Sequence, residues 1–94
     1  MTVHLKFVGS FRGVSGTDAM NLRCKDPVSI RTIVQKIVEK LPSMRSSMFD
    51  PVSGEPRRNM LALVNGQEIG VLDGLETVVE DGDEVVFIPV IHGG

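Results

Sequence analysis

The chain opens on strict alternation. From Thr2 to Val8, Val3, Leu5 and Phe7 fall on one side and His4 and Lys6 on the other. That period of two predicts a half-buried strand. Gly9, Gly13 and Gly16 punctuate the next stretch, and Ala19 to Cys24 alternates again. Two strands around a glycine-rich connection predict a hairpin with a long loop.

The period then changes. Asp26-Pro27-Val28-Ser29 is a helix-start signal with Ser29 as the N-cap. Ile30, Ile33, Val34, Ile37, Val38 and Leu41 recur at helical spacing, with Arg31, Gln35, Lys36, Glu39 and Lys40 opposite. Pro42 ends this amphipathic helix. Ser43 to Asn59, containing Pro51, Gly54 and Pro56, reads as a long loop with a short helical turn around Met44 to Phe49. Met60 to Val64 is a compact apolar strand closed by the tight-turn signal Asn65-Gly66, and Gln67 to Ile69 returns as a short strand. A second turn, Glu80-Asp81-Gly82-Asp83, introduces a last strand, Glu84 to Val90.

The order β-β-α-β-(β)-β predicts an α+β fold in which one helix covers one face of a mixed four- to five-stranded sheet. The first and last strands pair in parallel at its centre, the helix supplying the crossover. That arrangement is a β-grasp, the ubiquitin-like fold. It assigns residues 1–88 to the domain and 89–94 to a flexible Gly-Gly tail.

Within the last strand, Val85 and Phe87 share one face and Val86 and Ile88 the other. If Val85 and Phe87 meet the helix, Val86 and Ile88 form an apolar run on the open face. Such patches mark partner surfaces. The competing reading covers them with the Ser43–Asn59 loop.

The run Pro89-Val90-Ile91-His92-Gly93-Gly94 follows that strand. Pro89 has no N–H to donate, which predicts that pairing ends there and the tail turns outward. Extended, six residues reach on the order of 20 Å. Two glycines carry no side chain, so the last carbonyl can enter a narrow channel. Together these features suit a carboxyl used as a chemical handle. Activation with ATP would give an acyl-adenylate, with nucleophile and base supplied by a partner enzyme. A frayed glycine terminus is the plainer alternative.

Composition narrows the classes. Ninety-four residues suit one domain, the apolar fraction of 41% is ordinary, and no apolar run approaches a membrane span. Met1-Thr2-Val3-His4 enters strand alternation directly, without a signal peptide's regions, so the expected location is cytoplasmic. Net charge is −2, Trp and Tyr are absent, and only Arg57-Arg58 sit side by side among the basic residues. Direct nucleic-acid binding is therefore not expected. Cys24 is the single cysteine, which excludes an internal disulfide, and its place in the alternation Met20-Leu22-Cys24 predicts core packing. His4 and His92 have no carboxylate or thiol at ligand spacing, so no metal site is expected. No catalytic constellation or phosphate loop is present, so the chain is not expected to be an enzyme.

These residues resemble the MoaD/ThiS sulfur-carrier family, most closely the small subunit of molybdopterin synthase. The resemblance covers nearly the whole chain. It runs from Phe7 and Arg12 through Gly16-Thr17-Asp18-Ala19, the helix after Ser29, Leu63-Val64-Asn65 and Leu75. Its most specific part is Glu80-Asp81-Gly82-Asp83-Glu84-Val85-Val86-Phe87-Ile88-Pro89 joined to Gly93-Gly94. The resemblance implies that Gly94 is adenylated by an enzyme related to ubiquitin activators. Gly94 then becomes a thiocarboxylate that donates sulfur, while Gly93 gives access. The implied interface comprises Val86, Ile88, Pro89, Val90, Ile91 and His92. The implied cofactors are none bound, with ATP consumed by the activating enzyme. The acceptor would be a synthase large subunit in molybdopterin biosynthesis or a tRNA-thiolation enzyme. His92 before Gly93-Gly94 looks more like the ubiquitin-related modifier that thiolates tRNA and conjugates to lysines. The long Ser43–Asn59 segment makes the thiamine-pathway carriers the poorest match. A non-covalent ubiquitin-like interaction module is the alternative from another class.

Overall fold

In the computed structural model, which describes residues 1–90, the expected alternation and helical period become one sheet and one main helix. Strands β1 (Thr2–Phe7), β2 (Ala19–Arg23), β4 (Met60–Val64), β5 (Gln67–Glu68) and β7 (Glu84–Pro89) form a five-stranded sheet in the order β2-β1-β7-β4-β5. β1 and β7 pair in parallel at the centre, and the remaining pairs are antiparallel. The β-grasp topology is thus present as expected. A separate two-stranded ribbon, absent from the expected elements, joins β3 (Val28–Ser29) to β6 (Val78–Val79).

Helix α2 (Ile30–Lys40) starts where its cap predicts, the Ser29 hydroxyl accepting the Thr32 N–H at 3.2 Å. Its residues Ile30, Ile33, Val34, Ile37 and Val38 are buried against Val3, Leu5, Phe7, Val85 and Phe87 from the sheet's inner face. Leu41 is only partly buried and caps the helix. Phe7 and Phe87 stack with ring centroids 6.2 Å apart. Cys24 is buried in the same core, as the alternation predicts.

Several connections differ from expectation. The Gly9–Gly16 segment is not an open hairpin loop but carries helix α1 (Ser10–Ser15). Gly9 and Gly16 bracket it with φ of 60° and 77°, and Phe11 anchors it in the core. The Asn65-Gly66 turn forms as predicted, with φ of 49° and 86°, the left-handed values a two-residue hairpin loop needs. The return strand is shorter than expected, because Ile69 leaves it to begin a 3-10 turn (Ile69–Val71) and buries itself in the core. The 43–59 segment does carry the short helical turn expected around Met44 to Phe49, with further order before it. Pro42–Met44 is a 3-10 turn, Arg45–Met48 is helix α3, and Met44 and Met48 are fully buried. The Arg31 guanidinium on α2 holds Glu55 of this segment and Glu76, tying three regions together. Those hydrogen bonds, first to Glu76 and then to Glu55, raise the Arg31 pKa above its ordinary value.

Candidate functional site

The candidate site is the C-terminal end of β7 and the sheet face beside it. Val85 and Phe87 are fully buried against the helical layer, so strand pleat turns Val86 and Ile88 outward, as predicted. Both are half-buried among their sheet neighbours. Register places Leu63 and Lys6 on either side of Val86, and Leu61 beside Ile88. Leu61 stands 36% exposed, as does Val8 at 37%, just past β1. Leu61 and Leu63 therefore widen the apolar strip, and sequence reading missed them. The signal was available: Leu61 and Leu63 share one parity in the Met60–Val64 run, opposite the core residues Ala62 and Val64.

The reading that covers this strip with the 43–59 segment does not hold for the start of that segment. Met44 and Met48 draw that segment into the core beside α2, and the Ser43 hydroxyl donates to the Val14 carbonyl oxygen on the α1 side. Those anchors place residues 43–48 with the helical layer, on the face of the sheet that Val85 and Phe87 occupy.

Charge frames the strip lightly. Lys6 Nζ lies 3.2 Å from a Glu84 carboxylate oxygen, and both side chains are about half exposed. Such a pair contributes at most about 1 kcal/mol. Asp50 has its pKa lowered by the backbone N–H groups of Val52 and Ser53, which donate to its carboxylate.

Pro89 behaves differently from the expectation that it ends the pairing. It belongs to β7 and lies opposite Met60, and the Val90 N–H donates to the Asn59 carbonyl oxygen at 2.8 Å. The ladder therefore continues one residue past Pro89 on the β4 side. Pro89 and Val90 are half-buried. Ile91, His92, Gly93 and Gly94 lie outside the described residues, so their assigned roles stand on sequence. Among the described residues, no group of three or more His, Cys, Asp or Glu could hold a metal ion, and no helix is long and apolar enough to cross a membrane. His4 Nδ1 pairs with the Asn21 side-chain oxygen at 2.7 Å.

Comparison with known proteins agrees with this geometry. Small archaeal modifier protein 3 of Haloferax volcanii is 28% identical over 94 residues, covering all of both chains. The crystal structure of SAMP1 from Haloferax volcanii superimposes with a TM-score of 0.88 at 20% identity, covering all of both chains. A putative molybdopterin converting factor, subunit 1, from Pyrococcus furiosus gives 0.76 at 18% identity, over 97% of this chain and 99% of that one. These two structural likenesses establish the fold. The family model described as Urm1 (Ubiquitin related modifier) matches residues 2–94, and the chain therefore belongs to that ubiquitin-like family.

Proposed function

We propose that this chain is a non-catalytic sulfur carrier whose Gly94 carboxyl is adenylated and then thiocarboxylated. The observation that carries the reading is a central, core-anchored strand beside an apolar sheet face, followed in the sequence by Gly93-Gly94. The Gly94 carboxylate attacks ATP within an adenylating partner and releases pyrophosphate. A sulfur nucleophile supplied by the partner then displaces AMP and leaves the sulfur on the acyl carbon. The carrier contributes a positioned carboxyl and a docking surface, formed by Val86, Ile88, Pro89, Val90, Ile91 and His92. Gly93 lets the chain end enter a narrow channel. ATP belongs to the activating enzyme, and the cytoplasm is the proposed location.

For the acceptor, the closing run from Glu80 to Pro89 supports a synthase large subunit in molybdopterin biosynthesis. The family description and the modifier relative favour a second reading with equal weight: transfer to a tRNA-thiolation enzyme, or isopeptide conjugation to lysines through Gly94. All of these begin with the same adenylate.

Intact mass of protein isolated from its native cells tests the carrier step, because replacing the terminal OH by SH adds about 16 Da. Its absence from actively growing cells, with no loading by the activating enzyme and a sulfur donor, would refute the proposal. Blotting for tagged high-mass adducts separates conjugation, and assays of molybdopterin and of thiolated tRNA in a deletion strain separate the two acceptors.

A further inference from the structure

The base of the tail is held asymmetrically. In a strand, the N–H and C=O of one residue point to the same side, and the next residue's point to the other. The Phe87 carbonyl accepts from Val8 on the β1 side, at 3.2 Å, and the Val90 N–H donates to Asn59 on the β4 side. Pro89 shares the parity of Phe87, so its missing N–H falls toward β1. There β1 has given way to Gly9, whose backbone sits at φ 60°, ψ −138°. A Cβ on Gly9 would lie 3.1 Å from Pro89 Cγ and 3.5 Å from Cδ. The ring thus rests on the one residue type that offers no side chain and tolerates that backbone.

We propose that Gly9 and Pro89 form a positioning seat that releases β7 from β1 while keeping it on β4 through Val90. This inference deepens the carrier reading and rests on it for its functional part. Proline removes the donor that would extend the β1 pairing, and glycine gives the ring room. The chain is thereby turned toward Asn59 and leaves the domain from a defined point. The run from Ile91 to Gly94 spans at most about 14 Å by covalent geometry. A seated base lowers the ordering entropy lost when the tail enters a partner's channel, and that advantage appears in KM rather than kcat.

The experiment compares the wild-type protein with Pro89→Ala and Gly9→Ala. Pro89 is half-buried, so its truncation leaves the fold intact, and Gly9→Ala strains a positive-φ backbone and presses a methyl group against the ring, 3.1 Å from Cγ. Hydrogen exchange at the Val90 amide reads the seat directly, without any partner. Both variants should exchange at least about fivefold faster there, while the Phe87 amide in the core stays protected. In pyrophosphate exchange with the organism's adenylating enzyme, KM for the carrier should rise about fivefold with kcat unchanged. Wild-type exchange at Val90 in both variants overturns the seat. Faster exchange with unchanged KM overturns its positioning role. If the wild-type protein is not adenylated at all, the carrier reading fails, and the amide measurement still decides the seat.

Discussion

Two neighbouring residues in β7 offer a direct test of which face is core and which is surface. Phe87 is fully buried and stacked on Phe7, so Phe87→Ala removes a ring from the centre of the domain. Such truncations cost about 3–5 kcal/mol. In a domain of this size each kcal/mol shifts Tm by roughly 4–8 °C, so the midpoint should fall by at least about 12 °C. Ile88→Lys changes the next side chain, which points outward and is half-exposed. A lysine there can lay its stem along Leu61 and keep its ammonium in water, so the cost should stay near about 0.5 kcal/mol. Its expected Tm shift is under about 4 °C. The binding effects should reverse. A charge in the apolar strip should weaken capture by the adenylating enzyme about tenfold or more, as loss of an interface anchor does. Calorimetric melts beside a titrated pull-down read both quantities. A melting drop for Ile88→Lys comparable to that of Phe87→Ala would refute the face assignment. Undiminished capture by a folded Ile88→Lys would remove the strip from the interface.

Deleting Gly94 should leave the melt unchanged, since every core residue lies within the described domain, and should abolish pyrophosphate exchange; retained exchange would show that the carboxyl used is not this one. Cys24→Ala should still load sulfur, mapped by peptide fragmentation to the C-terminal peptide, with a stability loss of about 1 kcal/mol from the small cavity. Loss of loading in the folded variant would bring the thiol into the mechanism. The lowered pKa of Asp50 stabilises the fold above its unfolded pKa of about 4 and ceases to do so as pH falls through the lower folded value. Asp50→Asn should accordingly flatten the acid limb of a stability-versus-pH curve, and an unchanged limb would exclude this contribution.

What was legible in the chain followed from period. The alternations in Thr2–Val8 and Glu84–Val90 fixed both strands and their faces, and the 3.6-residue repeat after Ser29 located the helix within a residue. Asn65-Gly66 specified its turn because few residues accept positive φ in succession. The failures occur where local composition competes with a distant contact. Glycine density at Gly9, Gly13 and Gly16 argued for a loop, yet one anchored aromatic, Phe11, draws a helix between the outer two. Met44 and Met48 sit among prolines and serines, and only burial against the main core reveals their role. The two-residue ribbon of Val28–Ser29 and Val78–Val79 is too short for any period to register. At the site, Val86 and Ile88 were readable from their own strand, while Leu61 and Leu63 required the register between strands.

On the proposed function, the position of β7 would let a small domain lend its chain end to chemistry without losing stability. β7 is flanked by β1 and β4, and its inward residues Val85 and Phe87 are fully buried. A terminal strand at a sheet edge would fray when pulled by a partner, because few contacts resist it. Here, peeling β7 would break ladders on both sides and expose the Phe7–Phe87 stack. The same strand carries the apolar strip on its other face, so a partner gripping Val86 and Ile88 holds the element from which the tail extends. In the proposed carrier, docking and delivery would thereby be mechanically continuous through one strand. The hydrogen bond from Val90 to Asn59 marks the last described point of that continuity.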